Sequence, residues 1–359
     1  MLIKESHVDV PTKADGKDGS MSSCLPAPVP VPHSVQQLNS KNANQESSSS
    51  TLRFRAIPKR EITSAIFQFH GISAIDMLCS KFPGVCLFSE IYQVTGPVAR
   101  FARQIAGQGY IVAAPSSYHD FTGPEALAYD VPGTDKGNAW KVEKTLESYD
   151  EDSRRTVDYL LTLPTCTGKI GSTGMCLGGH LAVRASVRSQ LPLPNMRPPS
   201  HPQLSNNRHK SNYPSPKLDP RISSCVAYFA TDIHSRTLGP HTAKNISPTA
   251  PENSTHTLDL FATNLTHAEV AMIFGVKDTH VPPEGRDLIR AKLREAGVTT
   301  SFYEFAWAQH AFIRDELSKG RYDPAITKVC FEILLELFGR TLKLDLGPLE
   351  GVGEVEHVC

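Results

Sequence analysis

The sequence predicts an α/β protein built on a doubly wound, mostly parallel sheet with helices on both faces. Three observations carry that expectation. Runs such as Val85-Cys86-Leu87-Phe88-Ser89 and Val270-Ala271-Met272-Ile273-Phe274-Gly275 are apolar throughout, as strands covered on both sides must be. Stretches with helical apolar spacing alternate with these runs, the order that builds a parallel sheet. Between two of them, Gly174-Met175-Cys176-Leu177-Gly178-Gly179 reads as a sharp, glycine-flanked turn from strand to helix.

Taken in order, residues 1–52 are rich in Ser, Pro, Lys, Asn and Gln and are expected to form a disordered tail. The folded domain is expected to span 53–345. Ala65-Ile66-Phe67-Gln68-Phe69 reads as a strand ending at His70-Gly71, and Val85 to Ser89 as a strand ending at Glu90. Gly96-Pro97 opens a helix with apolar residues at Val98, Phe101, Ala102 and Ile105, closed by Gly107 and Gly109. Tyr110 to Pro115 is a further strand, followed by a long loop with Tyr118, His119 and Asp120. Glu151 to Leu163 is an amphipathic helix stopped before Pro164. Lys169 to Thr173 leads into the glycine-flanked turn, and His180 to Ala185 follows it as a helix. Residues 190–220 break the rhythm with Pro, Asn, Ser, His and Lys, and are expected to be a disordered surface insertion. The alternation resumes with strand Ser224 to Phe229, strand Val270 to Gly275, helix Pro283 to Ala296, strand Thr300 to Phe305 and a closing helix over 324–339. A flexible tail is expected at 346–359.

Composition narrows the function. The 37 basic and 37 acidic residues of the 359-residue chain balance, which gives no footprint for nucleic acid or a charged membrane surface. No apolar run approaches the roughly 18 residues that span a bilayer. The N-terminus lacks the apolar core of a signal peptide. The eight cysteines show no paired metal spacing and read as reduced thiols of a cytoplasmic protein. Glycosylation-type triplets at Asn245, Asn253 and Asn264 are then chance matches.

Chemistry concentrates around Cys176. A nucleophile between a strand and a helix, with glycine two places on either side, matches the elbow G-x-S-x-G with Cys for Ser. The helix start favours a thiolate and a developing oxyanion. A cysteine nucleophile needs a base, and the base an orienting acid. Asp278 stands just past the strand ending at Gly275, and His310 just past the strand ending near Phe305. Nucleophile, acid, base, each at a strand terminus, is the chain order of an α/β-hydrolase. His280 is the rival base and reads as a loop or pocket residue, whereas Asp287 and Asp315 read as solvated charges.

With these residues in place, the chain resembles the dienelactone hydrolase family of α/β-hydrolases over about residues 53–340, apart from the insertion. The resemblance rests on Cys176, Asp278 and His310, on Ser89-Glu90-Ile91 after the strand before the first large helix, and on Arg314 four residues after the histidine. Fungal-type members look closest, through Ser89 to Pro97 and Gln309 to Glu316. The resemblance implies a Cys-His-Asp triad, a Glu90 carboxylate that takes the thiol proton, an oxyanion hole from the amides of Ile91 and Leu177, and a carboxylate anchor at Arg314. A second family arginine has no match; Lys141 and Lys144 lie in its region and stay unassigned. Tyr118, His119 and Trp307 are candidate pocket residues. His70-Gly71 is a weaker candidate for the oxyanion hole. The expected activity is hydrolysis of a small lactone or carboxylic ester by a monomer, with no metal or organic cofactor and no nucleic acid or membrane partner. Acyl transfer or thioester chemistry on the same triad is the alternative, and a non-catalytic binding protein a more distant one.

Overall fold

The computed structural model describes residues 2–11, 61–70, 81–187, 221–240, 256–263 and 268–343. Its described strands are β1 (Leu2–Pro11), β2 (Glu61–His70), β3 (Phe82–Phe88), β4 (Ile111–Pro115), β5 (Cys166–Met175), β6 (Ile222–Tyr228), β7 (Glu269–Gly275) and β8 (Thr300–Phe305). They form a single sheet in the order β1-β2-β4-β3-β5-β6-β7-β8. β1 pairs antiparallel with β2, and β2 antiparallel with β4; every pairing from β4 to β8 is parallel.

The described helices are α1 (Gly96–Gly107), α2 (Val131–Glu143), α3 (Leu146–Thr162), α4 (Leu177–Val187), α5 (Thr257–Thr263), α6 (Pro283–Glu295) and α7 (Pro324–Phe338), the last continued by a π-helical turn, Gly339–Lys343. Alternate residues of each buried strand enter different cores. Cys86 and Phe88 pack with Leu160, Leu181 and Ile289 on one face, while Val85 and Leu87 pack with Val98, Phe101 and Leu334 on the other. That is why the β3 run carries no polar alternation: neither face meets water.

Most elements fall where the sequence puts them, but the short helix α5 stands between β6 and β7 where none is expected, and three further differences appear. Leu2–Pro11 pairs as an edge strand with β2 over its whole length, where a disordered tail is expected. Backbone pairing with β2 along the whole strand supplies what composition alone does not suggest. Second, the loop expected after Tyr118 contains α2. Third, α3 starts at Leu146, with the Thr145 hydroxyl accepting from the Ser148 amide as its cap. The expected insertion at 190–220, the tail at 346–359, residues 12–52 and Gly71 lie outside the described residues. Among the described residues, no helix is long and apolar enough to cross a membrane.

Candidate active site

The site lies beyond the carboxyl ends of the parallel strands, where ligands bind in open α/β sheets. Five of the parallel strands deliver a polar side chain there. Glu90 follows β3, Cys176 follows β5, Asp232 follows β6, Asp278 follows β7 and His310 follows β8.

Cys176 sits at φ +60°, a left-handed conformation that costs a residue with a Cβ and marks a constrained turn. Three backbone bonds hold it there. Its amide donates to the Tyr228 carbonyl at 3.0 Å, and its carbonyl accepts from the amides of His180 and Thr231, both at 3.3 Å. The flanking glycines are required by close approach: a Cβ on Gly174 would strike the backbone of Gly178 and Phe88, and one on Gly178 the carbonyls of Phe88 and Ser89. The elbow is wedged between β3 and β6. The Cys176 thiol is pushed up to about 12, first by burial, then by the negative charges of Glu90 and Asp232; the Leu177 amide and Lys141 pull the other way without prevailing. The resting sulfur is therefore a neutral thiol at neutral pH.

His310 Nδ1 donates to Asp278 Oδ2 at 2.9 Å, which leaves Nε2 with its lone pair. The other carboxylate oxygen of Asp278 accepts the His280 amide at 2.8 Å. Burial works to raise the Asp278 carboxyl, but its bonds to His280 and His310 outweigh that and hold it well below the usual carboxylate range. The His310 ring is fixed on two sides, edge-on to Phe229 at 5.0 Å and stacked on His280 at 4.1 Å. The left-handed turn at Ala311, φ +61°, brings the chain back behind it.

Glu90 is buried and accepts the Tyr129 hydroxyl at 2.8 Å; its other oxygen lies 3.9 Å from Arg314 Nη1. The Arg314 guanidinium lies over the Tyr129 ring at 4.3 Å. Asp315 and Glu316, the acids nearest Arg314 in sequence, bind Arg100 instead, at 2.7 and 2.9 Å, which leaves Arg314 for the cleft. Glu90, Ile91, Cys176, His310 and Arg314 line one cleft of about 190 Å³, with His280, Asp232 and the α2 residues Thr134, Asn138 and Lys141. Leu177 opens α4, its side chain buried beneath the elbow and its amide beside the Cys176 sulfur.

Other expectations fall elsewhere. Tyr118 is fully buried under α2, packed on Trp140 and donating to the Gly137 carbonyl at 2.9 Å, and does not line the cleft. Trp307 is 81% exposed beneath the Lys277 ammonium and is also outside it. Aromatic residues in loops carry no periodicity to say which way they point. His119 bonds Asp152 at 2.8 Å in a separate cavity, together with Lys144. Lys144 is buried between Asp120 and Asp152, at 2.6 and 3.0 Å. Lys141, not Lys144, reaches the cleft, and both oxygens of Asp232 hold it at 3.1 Å. Asp232 and Tyr129 were not anticipated. Asp232 shares with Asp278 the position just past an apolar run, the signal that could have found it.

A left-handed cysteine at a strand-to-helix elbow, with a histidine and an aspartate delivered by later strands of this sheet, defines the α/β-hydrolase class. The dienelactone hydrolase family model matches residues 69–195 and 242–342. A Saccharomyces cerevisiae protein named "Putative carboxymethylenebutenolidase" is 49% identical over 282 residues, 78% of this chain and 88% of that protein. A Synechocystis protein of the same name is 21% identical over 77% of this chain and 93% of its own length. A Klebsiella pneumoniae crystal structure named "Putative Dienelactone Hydrolase" superposes with a TM-score of 0.56 at 18% identity, covering 78% of this chain and 93% of that one, which shows the shared fold. The chain belongs to the dienelactone hydrolase family, and it is a hydrolase acting on ester bonds.

Proposed function

We propose that this enzyme cleaves a small lactone or carboxylic ester through Cys176, His310 and Asp278, with Glu90 accepting the thiol proton. The observation that carries the reading is the 2.9 Å bond from His310 to the charged Asp278 in the cleft that also holds Cys176 on its elbow.

At rest the thiol keeps its proton, because burial and the Glu90 charge oppose a thiolate. A substrate carboxylate drawn to Arg314 competes for the cation now beside Glu90, 3.9 Å away. Glu90, released from that partner, takes the thiol proton and becomes neutral, leaving a thiolate in the cleft beside His310. The sulfur attacks the acyl carbon. The oxyanion is received by the amides of Leu177 and Ile91, the electrostatic contribution that is usually the largest. The C–O bond breaks, the leaving oxygen takes the proton held by Glu90, and a thioester on Cys176 remains. Water then attacks with His310 Nε2 as base, its imidazolium stabilised by Asp278. The thiolate departs and regains a proton, giving the acid product. The five described cysteines, Cys86, Cys166, Cys176, Cys225 and Cys330, are unpaired, which supports a reducing, cytoplasmic setting.

Hydrolysis of a chromogenic short-chain ester tests the reading. Cys176→Ala is expected to lower kcat/KM by at least about a thousandfold, the scale on which loss of a triad nucleophile acts. Hydrolysis surviving at near-native rate in that variant would contradict it.

A further inference from the structure

We propose that Arg321 holds the far-end carboxylate of an extended substrate in an outer cavity adjoining the Cys176 cleft. The preferred substrates are then esters or lactones carrying a carboxylate on an extension away from the scissile carbonyl. The proposal rests on the hydrolase reading and extends it to substrate class.

The geometry begins with size. The cleft at Cys176 holds about 190 Å³, and a neighbouring cavity holds about 230 Å³. The two share Tyr92, Thr134, Arg314 and Arg321 in their walls, so they adjoin across those side chains. Ligand clefts ordinarily begin near ~300 Å³. Neither cavity reaches that size, whereas the pair exceeds it. A substrate filling both would place its ester at Cys176 and its far end in the outer cavity.

Charge selects what that far end carries. Lys141 in the inner cleft is committed to both oxygens of Asp232 at 3.1 Å. Arg314 lines both cavities, but one of its terminal nitrogens lies 3.9 Å from Glu90 of the inner cleft and its guanidinium lies over the Tyr129 ring. Lys319 lines the outer cavity from an exposed loop position. Arg321 differs from all three. Its Nε donates to the Ser318 carbonyl at 3.0 Å, and its backbone amide donates to the same oxygen at 3.2 Å. Those bonds fix the near edge of the guanidinium. Among the described residues its two terminal nitrogens meet no carboxylate within ion-pair distance. The Asp323 amide, two residues on, is tied to the Phe312 carbonyl at 2.9 Å, and Asp323 caps α7, so the segment bearing Arg321 is held at both ends. A positioned, half-buried guanidinium with a free bidentate edge suits a carboxylate. The acids of the outer cavity are Asp130, already accepting the Gly133 amide at 2.7 Å as the cap of α2, and Asp135, which is exposed.

The test compares p-nitrophenyl monoesters of dicarboxylic acids of increasing length with neutral acyl esters of matching length, using the full-length enzyme. The native protein is expected to favour the longer charged esters. Arg321→Met is expected to lower the charged-to-neutral ratio of kcat/KM roughly tenfold, the rate equivalent of one charge-assisted hydrogen bond, with most of the loss in KM. Arg321→Lys should restore part of the ratio. An unchanged ratio in Arg321→Met overturns the proposal. Should Arg321→Met fold poorly, competitive inhibition of the native enzyme by free dicarboxylates decides. Inhibition that tightens with chain length and weakens with salt supports the proposal, and indifference to both overturns it. Activity that depends on Cys176 without any preference through Arg321 overturns this inference and leaves the hydrolase reading intact; activity independent of Cys176 overturns the hydrolase reading itself.

Discussion

At Cys176 two demands oppose each other. A sulfur nucleophile acts as thiolate, yet its burial and the Glu90 and Asp232 charges push the thiol up to about 12. The helix-start amide of Leu177 and the Lys141 cation are too weak to reverse this. On the proposed mechanism Cys176 then stays protonated until the field in the cleft changes. Because the thiol lies above its ordinary range, the thiolate fraction is small at pH 7 to 9 and grows only as pH climbs toward about 12. Replacing Glu90 by Gln removes the larger of the two opposing charges. We expect Glu90→Gln to speed iodoacetamide labelling of Cys176 at pH 8 several-fold while lowering ester turnover, since the proton acceptor is lost with the charge. Peptide mapping over a pH series measures the first and a chromogenic ester the second. The places of Cys176, Asp278 and His310 were legible in the sequence, because each stands just past a strand-like run or inside a glycine-flanked turn, whereas Glu90 was picked out through the family resemblance. Those of Tyr118 and Trp307 were not legible, because an aromatic ring in a loop is equally at home in a core, at 0% exposure, or in solvent, at 81%.

At the level of elements, α2 completes the cleft. Its residues Thr134, Asn138 and Lys141 recur at four and three positions and present one helical face to the site. It approaches the loop at Ile91 closely: a Cβ on Gly137 would lie 2.5 Å from the Ile91 carbonyl oxygen. Tyr118 donates to the Gly137 carbonyl, so the contact is clamped from below as well. Gly137→Ala must push α2 and Ile91 apart, at the overpacking cost of about 1–3 kcal/mol. Kinetics on a short ester are expected to show kcat/KM reduced about tenfold or more, and thermal melting a lower midpoint. This helix was hidden from the sequence for a physical reason. It carries Gly133 and Gly137 and has only those two buried positions, so no apolar stripe marks it. Its start was nonetheless signalled by the Asp130 cap and by Pro132 in the first turn.

At the scale of the molecule, the sheet explains why residues far apart in sequence meet. Parallel strands from β3 to β8 point their carboxyl ends the same way, so Glu90, Cys176, Asp278 and His310 arrive at one rim. The two cores beneath hold that rim rigid, with α1 and α7 on one face and α3, α4 and α6 on the other. The parallel half was readable because strands buried on both faces are apolar throughout. The β1 edge was less so, since a strand held chiefly by pairing with β2 needs no apolar run. The proposed chemistry requires a covalent step at one sulfur. The most direct test treats the His310→Gln enzyme with a p-nitrophenyl ester, quenches in acid and maps peptides by mass. With the base for deacylation removed, the acyl group is predicted to accumulate as a thioester on the peptide containing Cys176. Acyl mass on another residue, or continued turnover with no adduct in a protein also carrying Cys176→Ala, would contradict it.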